Sequence, residues 1–147
     1  MSHIAQVTDL YITDLETLAV AAKSCGLELV KQDHYRWYGT SVGDTPLPLG
    51  FRAEDLGKCD YVLKVPGNRY AYEMGVVRRR DGEPGYTLLW DFWQGGYGLQ
   101  ERVGDGAEKL RFNYSLETTR KQCAEMGFQL FEETQADGSL VILAQKG

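Results

Sequence analysis

Three observations predict an α+β fold: an antiparallel sheet of six to eight strands with two main helices packed on one face. Short runs rich in β-branched and aromatic residues recur along the chain, separated by turns that carry glycine or proline. Two segments place apolar residues at helical spacing and end on a glycine, Gly26 or Gly127. The two halves also share a pattern, since Leu15-Glu16-Thr17 is followed eleven residues after its leucine by Gly26 and LEL, and Leu116-Glu117-Thr118 at the same distance by Gly127 and FQL. Each half is thus expected to hold a helix, a glycine stop and an antiparallel return strand.

Residues 3–12 (HIAQVTDLYI) alternate, with Ile4, Gln6, Thr8, Leu10 and Ile12 on one face and Ala5, Val7, Asp9 and Tyr11 on the other, and predict the first strand. Thr13 is placed to cap a helix, with Glu16 reciprocating in a capping box, and Leu15, Leu18, Ala19, Ala22 and Cys25 carry the helical period to Gly26. LELVKQ (27–32) and HYRWYG (34–39) read as short strands. From Thr40 to Lys58 periodicity dissolves, and one helical turn at Ala53–Leu56 is the only element expected. The chain therefore reads as a single domain, 1–147, with an irregular insertion at about 40–58 whose length marks either a functional loop or a mobile one.

Strand character resumes in CDYVLKV (59–65), RYAYEMGVVRRR (69–80) and GYTLLWDFW (85–93), the last two joined by a polar DGEPG turn. In the third of these, alternation puts Tyr86, Leu88, Trp90 and Phe92 on a core face and Thr87, Leu89, Asp91 and Trp93 on the other. A short helix near Ala107–Arg111, a longer one over about Tyr114–Met126 and a closing hairpin turned at Asp137 and Gly138 complete the series.

Composition narrows the function classes. A formal charge of -5 on 147 residues opposes a whole-surface grip on double-stranded nucleic acid or anionic lipid. Three cysteines, Cys25, Cys59 and Cys123, form no CxxC pair, and the N-terminus lacks the basic and apolar regions of a signal peptide, so reduced thiols in a soluble cytoplasmic protein are expected. No apolar run approaches the roughly 18–20 residues of a membrane span.

The chemistry-bearing motifs are few. Gly95, Gly96 and Gly98 fit neither GxGxxG nor GxxxxGK, so a turn is expected there and not a phosphate loop. His3, His34 and Cys59 lack a second ligand at zinc-like spacing, and no Ser/His/Asp set, GxSxG or HExxH occurs; no metal site, cofactor or catalytic residue is assigned, and an enzyme is the minority reading, resting on Asp91 as an acid or base. Arg78, Arg79 and Arg80 close a strand on which Tyr70, Tyr72, Met74, Val76 and Arg78 share a face. Cations and aromatic rings on one sheet face suit a nucleotide or other small anion, with Arg36, Lys64, Arg78 or Arg79 on phosphate and Trp37, Tyr72 or Trp93 stacking on a base. Against this stands the preferred expectation, a non-catalytic binding or adaptor protein in a phage or host regulatory setting, holding a protein partner through one sheet face and the 40–58 loop.

The opening MSHI, the run of Ile12, Asp14, Leu15, Glu16 and Leu18, and the helix-ending Gly26 resemble the start of the domain of unknown function 1257 family, which includes a conserved plastid and cyanobacterial reading frame with bacterial and phage relatives. RYAYEMGVVRRRDGEPGYTLLWDFW is similar to that family's strand pair with its glycine turn and Trp-Asp step, and LRFNYSLETTRKQCAEMGFQL to its last helix and return strand. The resemblance covers most of the chain outside residues 40–58 and implies a fold, with no reaction to carry over.

Overall fold

The computed structural model describes residues 4–39 and 47–146, so His3 and the first part of the expected insertion lie outside the described residues. The chain divides into two compact units, one running to Tyr114 and one beginning at Ser115. Five strands belong to the first: β1 (Ile4–Ile12), β2 (Glu28–Val30), β3 (Tyr61–Lys64), β4 (Met74–Arg78) and β5 (Tyr86–Asp91). They form one antiparallel sheet in the order β1-β5-β4-β3-β2. The helices are α1 (Leu15–Ser24), α2 (Leu99–Val103) and α3 (Glu108–Glu125), and the second unit adds the hairpin β6 (Phe128–Thr134) and β7 (Leu140–Lys146). The α+β class holds, with the seven strands of the described residues parted between a five-stranded and a two-stranded sheet.

Alternation along β5 builds both sides of the first unit. Leu88 and Trp90 join Leu63, Met74 and Val76 under Leu18, Ala21 and Ala22 of α1, Leu99 and Val103 of α2, and Leu110 and Tyr114 of α3. On the opposite face Leu89, Val62 and Val77 are covered by Tyr35 and Phe51, with Trp37 and Cys59 packed against them. The sheet is therefore buried on both sides, by helices on one and by irregular chain on the other.

Local chemistry explains where the elements depart from the expected ones. Asp14, one residue past Thr13, caps α1: its Oδ1 accepts the N–H of Glu16 at 3.0 Å and of Thr17 at 3.3 Å. The Thr13 N–H is taken instead by the Tyr114 hydroxyl at 3.2 Å. Gly26, at φ +75°, ends α1 as a Schellman turn, with its own N–H on the Lys23 carbonyl and that of Leu27 on Ala22, both within 2.9 Å. Strict alternation fails in β1, because Val7 pairs with Leu88 and Ile12 with Tyr86 across a register shift, and both side chains reach the helix-side core.

Residues 34–39 are not a strand; one isolated bridge joins His34 to Lys58. Tyr35 lies over Gly75 so closely that a β-carbon there would stand 2.5 Å from its ring, which is why this segment caps the sheet face and does not extend an edge. The strand expected from residue 69 begins only at Met74. The two helices expected near Ala107–Arg111 and over about Tyr114–Met126 are one, α3, and a five-residue helix, α2, precedes it.

Candidate functional site

The sequence places its aromatic cluster at the end of β5, where residues 94–97 all adopt left-handed backbone angles, φ 52° to 65°, before α2 begins. Two of the four are glycines, but Gln94 and Tyr97 carry a Cβ in a conformation that costs non-glycine residues of order 1–3 kcal/mol. The turn is held by the Gly96 carbonyl, which accepts the Tyr72 N–H at 2.8 Å, and by the Tyr97 ring set edge-on against Tyr72 at 5.1 Å. No phosphate-loop geometry results; the glycines serve a left-handed turn.

Asp91 closes β5 and is 0% exposed. Its Oδ1 accepts the N–H of Trp93 at 3.0 Å and its Oδ2 the N–H of Tyr38 at 3.1 Å. These bonds tie the chain leaving β5 to the segment that caps the far sheet face, a structural use of the carboxylate. Its charge also helps, after burial itself, to push the Tyr35 phenol up to about 12. Trp93, expected on the same face as Asp91, packs half-buried against the helix-side core. Phe92, expected in that core, is exposed, because the strand ends one residue before it.

The expected cationic residues separate into two places. Arg79 is committed at the hairpin end: its guanidinium pairs with Asp81 through Nε and Nη2, and its Cζ stands 3.5 Å from the centre of the Tyr11 ring. The pairing holds the Asp81 carboxyl below its usual range. Arg78 lies over Tyr86 at 5.3 Å, and its N–H donates to Asp60. Neither Trp37, packed against the far-face core, nor Tyr72, 7% exposed, offers a free ring for stacking.

Arg36 and Lys64, by contrast, meet in a groove of about 990 Å³ lined also by Glu28, Val30, Val65, Pro66, Gly67, Asn68, Arg69 and Tyr70. Arg36 and Lys64 are both tied to Glu73, a buried residue that sequence reasoning passed over. Glu73 Oε1 accepts the Arg36 N–H at 2.8 Å and the Gln32 amide at 3.3 Å, while Oε2 faces the Lys64 ammonium at 3.6 Å. The Arg36 guanidinium donates to the Ala71 carbonyl at 2.7 Å, which fixes its root while the residue stays exposed. At the rim Asn68 Oδ1 accepts the N–H groups of Tyr70 and Ala71 at 3.0 and 3.1 Å, holding the loop that presents Arg69 and Tyr70. Arg69 lies 5.1 Å from the Tyr70 ring centre, and Tyr70 is 69% exposed.

Read as one strand, residues 69–80 make Tyr70 a face-mate of Tyr72 and Met74, whereas Arg69 and Tyr70 belong to the loop before β4. The available signal was the Pro66-Gly67-Asn68 turn just before them. The remaining nucleophile candidates are quiet. Burial, helped by Asp60, Glu73 and Asp33, pushes the Cys59 thiol up to about 12, and its S–H donates to the Gln32 carbonyl at 3.1 Å. Cys25 accepts from the Asn113 amide at 3.2 Å. Among the described residues no group of three His, Cys, Asp or Glu is placed to hold a metal ion, and no helix is long and apolar enough to cross a membrane.

No family model, curated protein or solved structure matches the chain. The reading of the groove therefore rests on its own chemistry.

Proposed function

We propose that this protein is a binding module whose groove at Arg36, Lys64 and Arg69 holds a small anionic ligand, a mononucleotide or similar organic phosphate. The observation that carries the reading is the convergence of three cations and one exposed ring on a single concave surface. Lys64 is half-spent on Glu73, and Glu28 lines the same groove. Counting Arg36, Lys64 and Arg69 against Glu28 and Glu73 leaves one net positive charge, which suits a ligand bearing one phosphate and opposes a polyanion such as duplex nucleic acid. Tyr70 supplies the face on which a base would stack.

The test is a thermal-shift and calorimetric titration with a panel of nucleoside mono- and diphosphates. A ligand at 100 times its dissociation constant is expected to stabilise the fold by about 2.7 kcal/mol. Arg69→Glu, an exposed substitution that leaves the Glu73 network intact, is expected to weaken binding at least about tenfold, the equivalent of ~1.4 kcal/mol. Absence of any shift with the wild-type protein at millimolar nucleotide would rule the ligand class out.

A second reading, an adaptor that holds a protein partner, is favoured by Leu49, which is 95% exposed beside Gly50 and Phe51 in the part of the insertion that is described. A leucine so placed contributes little to folding, and Leu49→Asp is expected to change stability by less than about 0.5 kcal/mol. Loss of a co-purifying protein with that variant, at unchanged stability, would support the adaptor reading; retention of every partner would count against it.

A further inference from the structure

From the second unit we infer that the chain pairs with a second copy of itself along the free edge of β7, making a continuous four-stranded sheet from two hairpins. No residue from Ser115 to Lys146 is buried, although the segment holds most of α3 and two seven-residue strands. A lone two-stranded hairpin is at best marginally stable in water and needs further strands or a helix against it. One face of this one is partly covered: Phe128, Leu130, Leu140 and Ile142 are half-buried, and Arg120 of α3 grips Glu132 through both oxygens at 2.6 Å. The other face leaves Phe131, Val141 and Leu143 at 49–61% exposure.

The two outer edges differ in kind. Exposed edges are usually blunted by charge, proline or a bulge. β6 carries Glu132 and Glu133, whereas β7 runs Leu140-Val141-Ile142-Leu143-Ala144 without charge, proline or register shift before Gln145 and Lys146. Among the described residues β7 pairs with β6 alone, so its second row of backbone N–H and C=O groups has no strand opposite it.

The block is also self-complementary. A two-fold antiparallel pairing centred on Ile142 sets Leu140 against Ala144 of the second copy, Val141 against Leu143 and Ile142 against Ile142. Every pair in the five-residue block is then apolar on apolar. The same register brings Lys146 alongside the Asp137–Gly138 turn of the second copy, so the only cation of the strand meets an acidic turn and not its own image. On β6 the equivalent self-pairing about Phe131 would put Leu130 against Glu132. The chemistry selects β7, and a second copy as its occupant.

Sedimentation velocity and light scattering on the full chain test the inference, with a dimer expected at micromolar concentration. Val141→Lys with Leu143→Lys, both on the exposed face, would set lysine against lysine twice and is expected to weaken the dimer roughly 100-fold. The Val141→Glu/Leu143→Glu chain is expected to fail alone for the same reason. Mixing the two variants is expected to restore a heterodimer, an outcome that misfolding of either would not produce. A monomeric wild-type protein at 100 times that concentration overturns the inference, as does a dimer that the lysine pair leaves unchanged.

Discussion

Truncation of Trp90 to alanine is expected to remove about 3–5 kcal/mol of folding stability. Trp90 is 2% exposed and stands on the second strand of the sheet, paired with Ala5, where the strand face meets the helices. Its cross-strand partner is small, so the indole supplies nearly all the side-chain volume of that pair. The surrounding groups, Leu88, Met74, Leu99 and Leu110 among them, are themselves fully buried, so collapse into the vacated volume is limited. Urea unfolding followed by the fluorescence of Trp37 and Trp93 gives the measurement, with the midpoint falling and the slope retained. A loss below about 1 kcal/mol would mean that Trp90 is not the centre of this core.

Its neighbour Asp91 is expected to matter nearly as much, for a different reason. Asp91→Ala strands the N–H groups of Tyr38 and Trp93 and is expected to cost about 2–4 kcal/mol, at about 1–2 kcal/mol for each donor, the lower part of the usual range because both bonds are only partly buried. Asp91→Asn keeps the shape but offers only one carbonyl oxygen, so about half that loss is expected. If the carboxylate served chemistry at the expense of stability, both substitutions would leave the unfolding midpoint unchanged or raise it. Ligand binding at the Arg36–Lys64 groove is expected to survive Asp91→Asn, since Asp91 does not line it.

The sequence carried the fold further than it carried the site. Period-two patterning located β5, the closing hairpin and its turn, and helical spacing with a terminal glycine located α1, because these signals are local and strong. Positions governed by distant partners were not legible in this way. Thr13 has the residue type of a cap, yet its N–H is claimed by Tyr114, about a hundred residues away, and the cap falls to Asp14. The segment at Tyr35 reads as a strand because its residue types favour strands, and only the bare Cα of Gly75 beneath its ring draws it onto the sheet face. At the groove, Arg36 and Lys64 stood out by charge, whereas Glu73, which binds both, looked like one more polar position in a strand. Its burial beside Lys64 is a tertiary fact, written in no local period.

The left-handed turn at residues 94–97 has a bearing on how this sequence can change over time. Four successive residues there occupy a region that β-branched side chains all but cannot enter. Drift at these positions is confined to glycine, asparagine, aspartate and a few unbranched residues such as the glutamine and tyrosine now present. Preceded by Phe92 and Trp93 and followed, after Gly98, by the leucine that opens α2, that short window forms a fingerprint of backbone shape. It is expected to outlast the surface charges, which change at little cost to folding.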